Sequence, residues 1–324
     1  MIRRPPRSTL DRSSAASDVY KRQLVSIADL TRGDIQDLFV IAHRLKSKGK
    51  IAGQDPILAG KTLAMIFEKP SLRTRVTFEA GIYQLGGYAI YLSPSDIGLG
   101  TRETASDVGK NLSRWVDIVM ARTFSHSMVV ELAEASSIPV INGLSDMLHP
   151  CQVLADCMTL DENFGTLEGL KVAFVGDGNN IVHSWLNMAT KVPLEFVLAC
   201  PRGYEPRASI LERAKRNGAA VSVTHKVSEA VTGADAVYTD VWTSMGQEEE
   251  ATLRRQAFSG YQVNKEVMSR AKPEAVGMHC LPAHRGEEIS QDVIDGPQSV
   301  VFDQSENRLH IQKAVMVWLL QAAI

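Results

Sequence analysis

Leu63-Ala64-Met65-Ile66-Phe67-Glu68-Lys69-Pro70-Ser71-Leu72-Arg73-Thr74-Arg75 is the stretch on which the fold turns. Its first five residues are an unbroken apolar run, the pattern of a strand buried on both faces. A Pro-Ser pair follows, and helical spacing resumes over 76–85. A strand that stops where a helix starts leaves unpaired backbone N–H groups aimed at one spot, where the helix dipole favours negative charge. Ser71 and Thr74 add hydroxyl donors there, and Arg73 and Arg75 add planar forks that match phosphate oxygens. Strand, anion-binding turn and helix together predict a parallel α/β sheet with a site for a small phosphorylated molecule. Taken alone, the pentapeptide reads equally well as an N-cap followed by solvated arginines.

Working outward, the same alternation fills the chain. Helical spacing covers 35–45, 107–114 and 152–160, and apolar strands are predicted at 63–67, 89–92, 118–121 and 140–142. After a polar joint over 161–169 come strands at 172–175, 195–199, 220–223, 236–239 and 276–279, with helical stretches between them. Apolar strands alternating with helices imply parallel sheets covered on both faces. The expected fold is therefore two doubly wound parallel-sheet α/β domains joined by helices. Their expected bounds are 24–152 and 153–307, with a last helix over 308–324 returning to the first domain.

Bulk composition agrees. A chain of 324 residues fits two domains, and 44% hydrophobic with 22% charged residues is ordinary for a globular protein. A net charge of −2 carries no basic surplus for nucleic acid. No apolar run reaches the roughly 18 residues that a membrane span needs. The four cysteines, at 151, 157, 200 and 280, form no C-x-x-C pair, so reduced thiols and a cytoplasmic setting are expected. Residues 1–23 are rich in Arg and Ser, contain Pro5-Pro6 and lack apolar periodicity. Asp11 and Asp18 spoil a transit peptide, so the segment reads as a disordered or non-native leader.

Ligands of open α/β sheets collect beyond the carboxyl ends of strands, and the polar motifs of this chain fall there. Arg122 follows one strand, and His149-Pro150-Cys151-Gln152 follows another. Proline at a first helical position puts His149 at the cleft mouth and Gln152 one turn in, each able to donate to a carbonyl. Gly176-Asp177-Gly178-Asn179-Asn180 is a weak dinucleotide loop, since Ile181 stands where the third glycine belongs and no acid ends the next strand. Asn180 instead offers an amide, and Asp240, before Val241-Trp242-Thr243-Ser244-Met245-Gly246, offers a carboxylate to a cationic group. Met278-His279-Cys280-Leu281-Pro282 places a thiol at a strand end, open to a nucleophilic or metal-ligand reading. Adjacent strand residues point to opposite faces, however, so His279 is a poor base for Cys280.

The runs Ser-Leu-Arg-Thr-Arg, His-Pro-Cys-Gln, Asp-x-x-x-Ser-Met-Gly and His-Cys-Leu-Pro, in this order from residue 24 onward, resemble the ornithine carbamoyltransferase branch of the aspartate/ornithine carbamoyltransferase family. The first two mark carbamoyltransferases in general, and the last two mark the ornithine branch. The resemblance implies carbamoyl transfer from carbamoyl phosphate to the δ-amine of L-ornithine, without metal or cofactor. It assigns carbamoyl phosphate to Ser71, Leu72, Arg73, Thr74, Arg122, His149, Gln152, Cys280, Leu281 and Arg308. It assigns ornithine to Asn180, Asp240, Ser244 and Met245, and catalysis to Arg122, His149 and Cys280. A homotrimer, or a multiple of one, is implied as well.

Two positions depart from the family pattern. Leu72 stands where many members have Thr, leaving only a backbone donor, and Gly98 stands where many place a His or Gln that reaches a neighbouring subunit's site. Arg102 is the nearby side chain able to substitute. Rival readings are a carbamoyltransferase for putrescine or N-acetylornithine, and a nicotinamide-dependent oxidoreductase using residues 176–180.

Overall fold

A computed structural model describes residues 22–49, 56–243 and 248–322. Helix α1 (Arg32–Ser47) opens on a capping box in which Thr31 and Asp34 satisfy each other's backbone N–H. The first sheet is then wound from β1 (Thr62–Phe67), α2 (Leu72–Gln84), β2 (Tyr88–Leu92), α3 (Pro94–Ile97), α4 (Ala105–Leu112), β3 (Ile118–Arg122), α5 (His126–Ala135) and β4 (Val140–Leu144). Helix α6 (Pro150–Phe164) leads into the second sheet. There follow β5 (Lys171–Val175), α7 (Asn180–Met188), β6 (Glu195–Ala199), α8 (Ala208–Arg216), β7 (Ala220–Thr224), α9 (Val227–Val231) and β8 (Ala236–Thr239). The chain ends through α10 (Ala251–Ala257), α11 (Lys265–Met268), β9 (Val276–His279), α12 (Gln291–Ile294) and α13 (Val301–Leu319).

Both sheets are parallel throughout, with strand orders β2-β1-β3-β4 and β7-β6-β5-β8-β9. The expected two doubly wound α/β domains are present. Central β3 is buried at every residue, as its uninterrupted apolar run requires. Edge strand β2 leaves Tyr88 and Ile90 exposed. Helix α13 packs on α1, α2, α6 and the end of β9, so it ties the last sheet strand back to the first domain.

Among the boundaries that move, three helix boundaries bear on the site, each for a physical reason. Helix α2 starts at Leu72, four residues before the expected 76, because Ser71 caps it by accepting from the Thr74 N–H. The anion motif is therefore the helix's own first turn. Helix α6 runs to Phe164 and absorbs the start of the polar joint, ending on Gly165 in the left-handed region. Helix α13 spans 301–319 rather than starting at 308. Its first turns bury Gln304 and Asn307, and buried polar residues erase the apolar periodicity that would reveal them. At the other end Gln23 accepts from the Val140 N–H at 2.6 Å, so the fold takes hold just before residue 24. The rest of the expected leader, 1–21, lies outside the described residues.

Candidate active site

A reversal of strand order opens a crevice at the C-terminal ends of the two flanking strands. In the first sheet those strands are β1 and β3, and in the second they are β5 and β8. Arg73 and Thr74 follow β1, Arg122 ends β3, the 176–180 loop follows β5 and Asp240 follows β8. The polar motifs therefore collect at both switch points.

On the first-domain side the centre is Thr74, 1% exposed in the first turn of α2. Its hydroxyl accepts from Arg308 Nη2 at 3.1 Å and from Arg122 Nη1 at 3.4 Å. Arg308 comes from α13, and its Nη1 also donates to Gln152 Oε1 on α6. The Nε atoms of Arg122 and Arg308 and the Nδ1 of His149 are buried without a hydrogen-bond partner among the described residues. Burial, then the nearby Arg308 and Arg73 cations, brings the Arg122 guanidinium down to about 10, which leaves it charged at neutral pH. Burial and the surrounding Arg308, Arg122 and Arg73 hold the His149 imidazole neutral, with its pKa well below the usual histidine range. His149 caps α6, and its backbone N–H donates to Ser184 Oγ of α7 at 2.8 Å, which pins it across the domain boundary. Crowded cations, orphan buried donors and a neutral imidazole form an anion pocket beside a neutral hydrogen-bonding group.

The second-domain side carries the opposite charge and is already paired. Asp240 Oδ1 accepts from the Cys280 thiol at 2.9 Å and from its neighbour's N–H, Val241, at 2.8 Å. Asp240 Oδ2 accepts from Asn179 Nδ2 at 2.9 Å. Burial, and then Asp240, pushes the Cys280 thiol well above the usual range, so it is a protonated donor rather than a nucleophile. Leu281 follows with φ 57° and a cis peptide to Pro282, turning the chain at the cleft. Arg73 lies between the halves, within electrostatic reach of both Cys280 and Asp240.

Other expected residues fall as follows. Ser71 is the α2 cap, and Leu72 is 74% exposed, with no side-chain donor to offer. Asn180 gives its amide to the Ser145 carbonyl at 2.8 Å, and its neighbour Asn179 is the one that reaches Asp240. Ser244 and Met245 lie outside the described residues. Gly98 ends α3 at φ 62°, and a Cβ there would meet Arg102 Cβ at 2.8 Å, so this turn suits glycine rather than a larger side chain. Both ring nitrogens of His279 are engaged elsewhere: its Nδ1 accepts from the Leu281 N–H at 2.9 Å, which leaves Nε2–H to donate to buried Glu288 at 3.0 Å. Asp240, His279 and Cys280 are close enough for a metal, but a carboxylate already holding three donors, a committed imidazole nitrogen and a protonated thiol are a poor ligand set.

Reading the sequence missed Asp156, Gln304 and Tyr238. Asp156 is fully buried on α6 and accepts from Gln152 Nε2 at 2.8 Å and Gln304 Nε2 at 2.7 Å. Burial lifts its carboxyl to about 6, with Gln152, Gln304 and Tyr238 acting in the opposite direction. The signal was the spacing: 152 and 156 share a helix face, as do 304 and 308.

Comparison with known proteins agrees with this geometry. Residues 22–162 match the model of the aspartate/ornithine carbamoyltransferase carbamoyl-P binding domain, and residues 168–319 match that of the Asp/Orn binding domain. The chain is 51% identical over 303 residues to the ornithine carbamoyltransferase of Thermococcus kodakarensis, covering 92% of this chain and 96% of that one. It is 52% identical over 303 residues to that of Symbiobacterium thermophilum, covering 92% and 98%. The ornithine carbamoyltransferase structure from Pyrococcus furiosus superposes with a TM-score of 0.89 at 48% identity, covering 94% of this chain and 98% of that one. The one from Thermus thermophilus gives 0.84 at 46%, covering 92% and 98%. Two matched domains, whole-chain identity and an anion pocket facing a paired carboxylate and thiol make this chain a member of the aspartate/ornithine carbamoyltransferase family.

Proposed function

We propose that the protein transfers the carbamoyl group of carbamoyl phosphate to the δ-amine of L-ornithine, giving citrulline and phosphate. The observation that carries this reading is the meeting of Arg73, Arg122 and Arg308 with neutral His149 around Thr74, opposite Asp240 and Cys280. Residues 24–152 and Arg308 bind carbamoyl phosphate, and residues 153–307 bind ornithine. Ser71, the Leu72 backbone, Arg73 and Thr74 hold the phosphate. Arg122, His149 and Gln152 hold the carbamoyl end, with Cys280 and Leu281 closing over it. Asn180, Asp240, Ser244 and Met245 take the amino acid.

The chemistry follows from these groups. An alkyl ammonium has a pKa of about 10.4 in water, so the δ-ammonium first gives one proton to water, and the free amine then attacks. Asp240 places a carboxylate beside the thiol where that amine arrives. As the nitrogen–carbon bond forms, negative charge gathers on the carbonyl oxygen. His149, neutral, donates to it without a proton transfer, and Arg122 adds charge stabilisation, each a contribution of about 3–4 kcal/mol. The carbon–oxygen bond to phosphate then breaks, and the leaving phosphate, held by the arginines, accepts the amine proton. Cys280 stays protonated throughout, positioning the amine and forming no covalent intermediate.

The same reading makes the protein a cytoplasmic trimer. Leu72, Val76 and Tyr83 on α2 and Tyr88 and Ile90 on edge strand β2 are exposed, and Val76, Tyr83 and Tyr88 line one shallow apolar depression. Such a patch marks a protein interface. The test of function is citrulline formation from carbamoyl phosphate with ornithine, putrescine, N-acetylornithine and aspartate as parallel acceptors. Turnover with ornithine alone is expected. Turnover with a different amine instead would keep the anion pocket and overturn the ornithine assignment.

A further inference from the structure

Asp156 is a buried carboxylate that the reaction above does not use. Its side chain is fully enclosed, and one oxygen, Oδ1, accepts from two amides on different helices, Gln152 on α6 and Gln304 on α13. A primary amide has a donor end and an acceptor end, and its surroundings decide which faces where. Because Gln152 gives its NH2 to Asp156, its carbonyl oxygen faces the arginine pocket and takes Arg308 Nη1. Because Gln304 gives its NH2 to the same oxygen, its own carbonyl accepts the His279 N–H at 3.0 Å and fastens the end of β9, just before Cys280. One carboxylate oxygen therefore sets the polarity of two amides, one at each side of the cleft.

We propose that Asp156 is the positioning residue for recognition of the carbamoyl end: it turns the Gln152 carbonyl toward the pocket, as an acceptor for the carbamoyl NH2. This rests on carbamoyl phosphate being the ligand. The inorganic phosphate part is held chiefly by the Ser71–Thr74 turn with Arg73, and the Gln152 amide bonds Arg308 and Asp156 rather than that turn, so phosphate affinity depends little on the amide's polarity. Asp156 thus governs preference for a carbamoyl-bearing ligand over a bare phosphate, rather than anion binding itself.

The test is calorimetric titration of phosphonoacetamide, a stable isostere of carbamoyl phosphate, and of inorganic phosphate into the full chain. Wild type is expected to bind phosphonoacetamide at least tenfold more tightly than phosphate. Asp156→Asn keeps an acceptor oxygen, and its preference is expected within about threefold of wild type. Asp156→Leu removes the acceptor, and the preference is expected to fall at least tenfold while phosphate affinity moves less than about threefold. A second pair avoids an apolar substitution. Gln152→Glu sets acceptor against acceptor and is expected to lose the preference, whereas Q152E combined with D156N restores a donor between them and is expected to recover most of it. Asp156→Leu retaining the preference, or losing phosphate and phosphonoacetamide affinity alike, overturns the proposal. Failure of the double variant to recover does the same. A wild-type protein that shows no preference would instead strike down the carbamoyl phosphate reading on which the proposal stands.

Discussion

The two halves of the cleft differ in how far they are satisfied before any ligand arrives. The first-domain half holds three mutually repelling cations and, among the described residues, unpartnered buried nitrogens at Arg122, Arg308 and His149. The second-domain half holds an aspartate whose oxygens already accept from Asn179, Val241 and Cys280. An anion entering the first half relieves repulsion and fills empty donors. An amine entering the second must exchange existing bonds and must also approach a cationic pocket. Preorganisation therefore favours phosphate first, and the anion's charge then makes room for the amine.

The largest expected effect comes from breaking the waiting half. Arg122→Met removes the buried cation that the proposed reaction places against the carbamoyl oxygen, and steady-state kinetics should show kcat/KM for carbamoyl phosphate falling by about 10³. Asp240→Asn strikes the paired half: kcat/KM for ornithine should fall by about 10², while phosphonoacetamide affinity measured by calorimetry holds or tightens. If both variants weaken both ligands equally, the division between the halves is wrong.

Asp156 separates function from stability. Its folded pKa of about 6 lies above the free-aspartate value of 3.8, so the folded protein holds that proton more tightly than the unfolded chain does. The stabilising effect of protonation is complete below about pH 4 and gone above about pH 6. At pH 7.5 the ionised, buried carboxylate is thus a liability of about 3 kcal/mol. Denaturant melts should show Asp156→Asn more stable than wild type at pH 7.5, by up to that amount, with the gap closing as pH falls toward 4. A gap that does not change with pH would mean the carboxyl is not displaced. The smallest effect belongs to Leu72→Ala: an exposed side chain without a donor should leave KM for carbamoyl phosphate within about twofold.

The halves also differed in how legible they were. The phosphate turn of the anion half follows from sequence because its parts are local: an apolar strand, a Ser cap and the arginines of one turn stand within 63–75. The strands read well for the same reason, since burial on both faces leaves unbroken apolar runs. Arg308 was found only by family likeness, because α13 is buried nearly all round and its early turns carry buried Gln304 and Asn307. Asp156 escaped notice because a carboxylate in a helix is normally solvated, and only the fold reveals that α13 closes over it. The choice of Asn179 rather than Asn180 as the Asp240 partner depends on which residue caps α7, a distinction of one position that spacing cannot draw.

The most direct test of the contrast between the halves is calorimetric titration of ornithine into the protein alone and into protein saturated with phosphonoacetamide. Ornithine affinity at least tenfold higher in the presence of the phosphonate is the predicted result. Equal affinity with and without it would contradict the account, because the amine half would then be ready on its own.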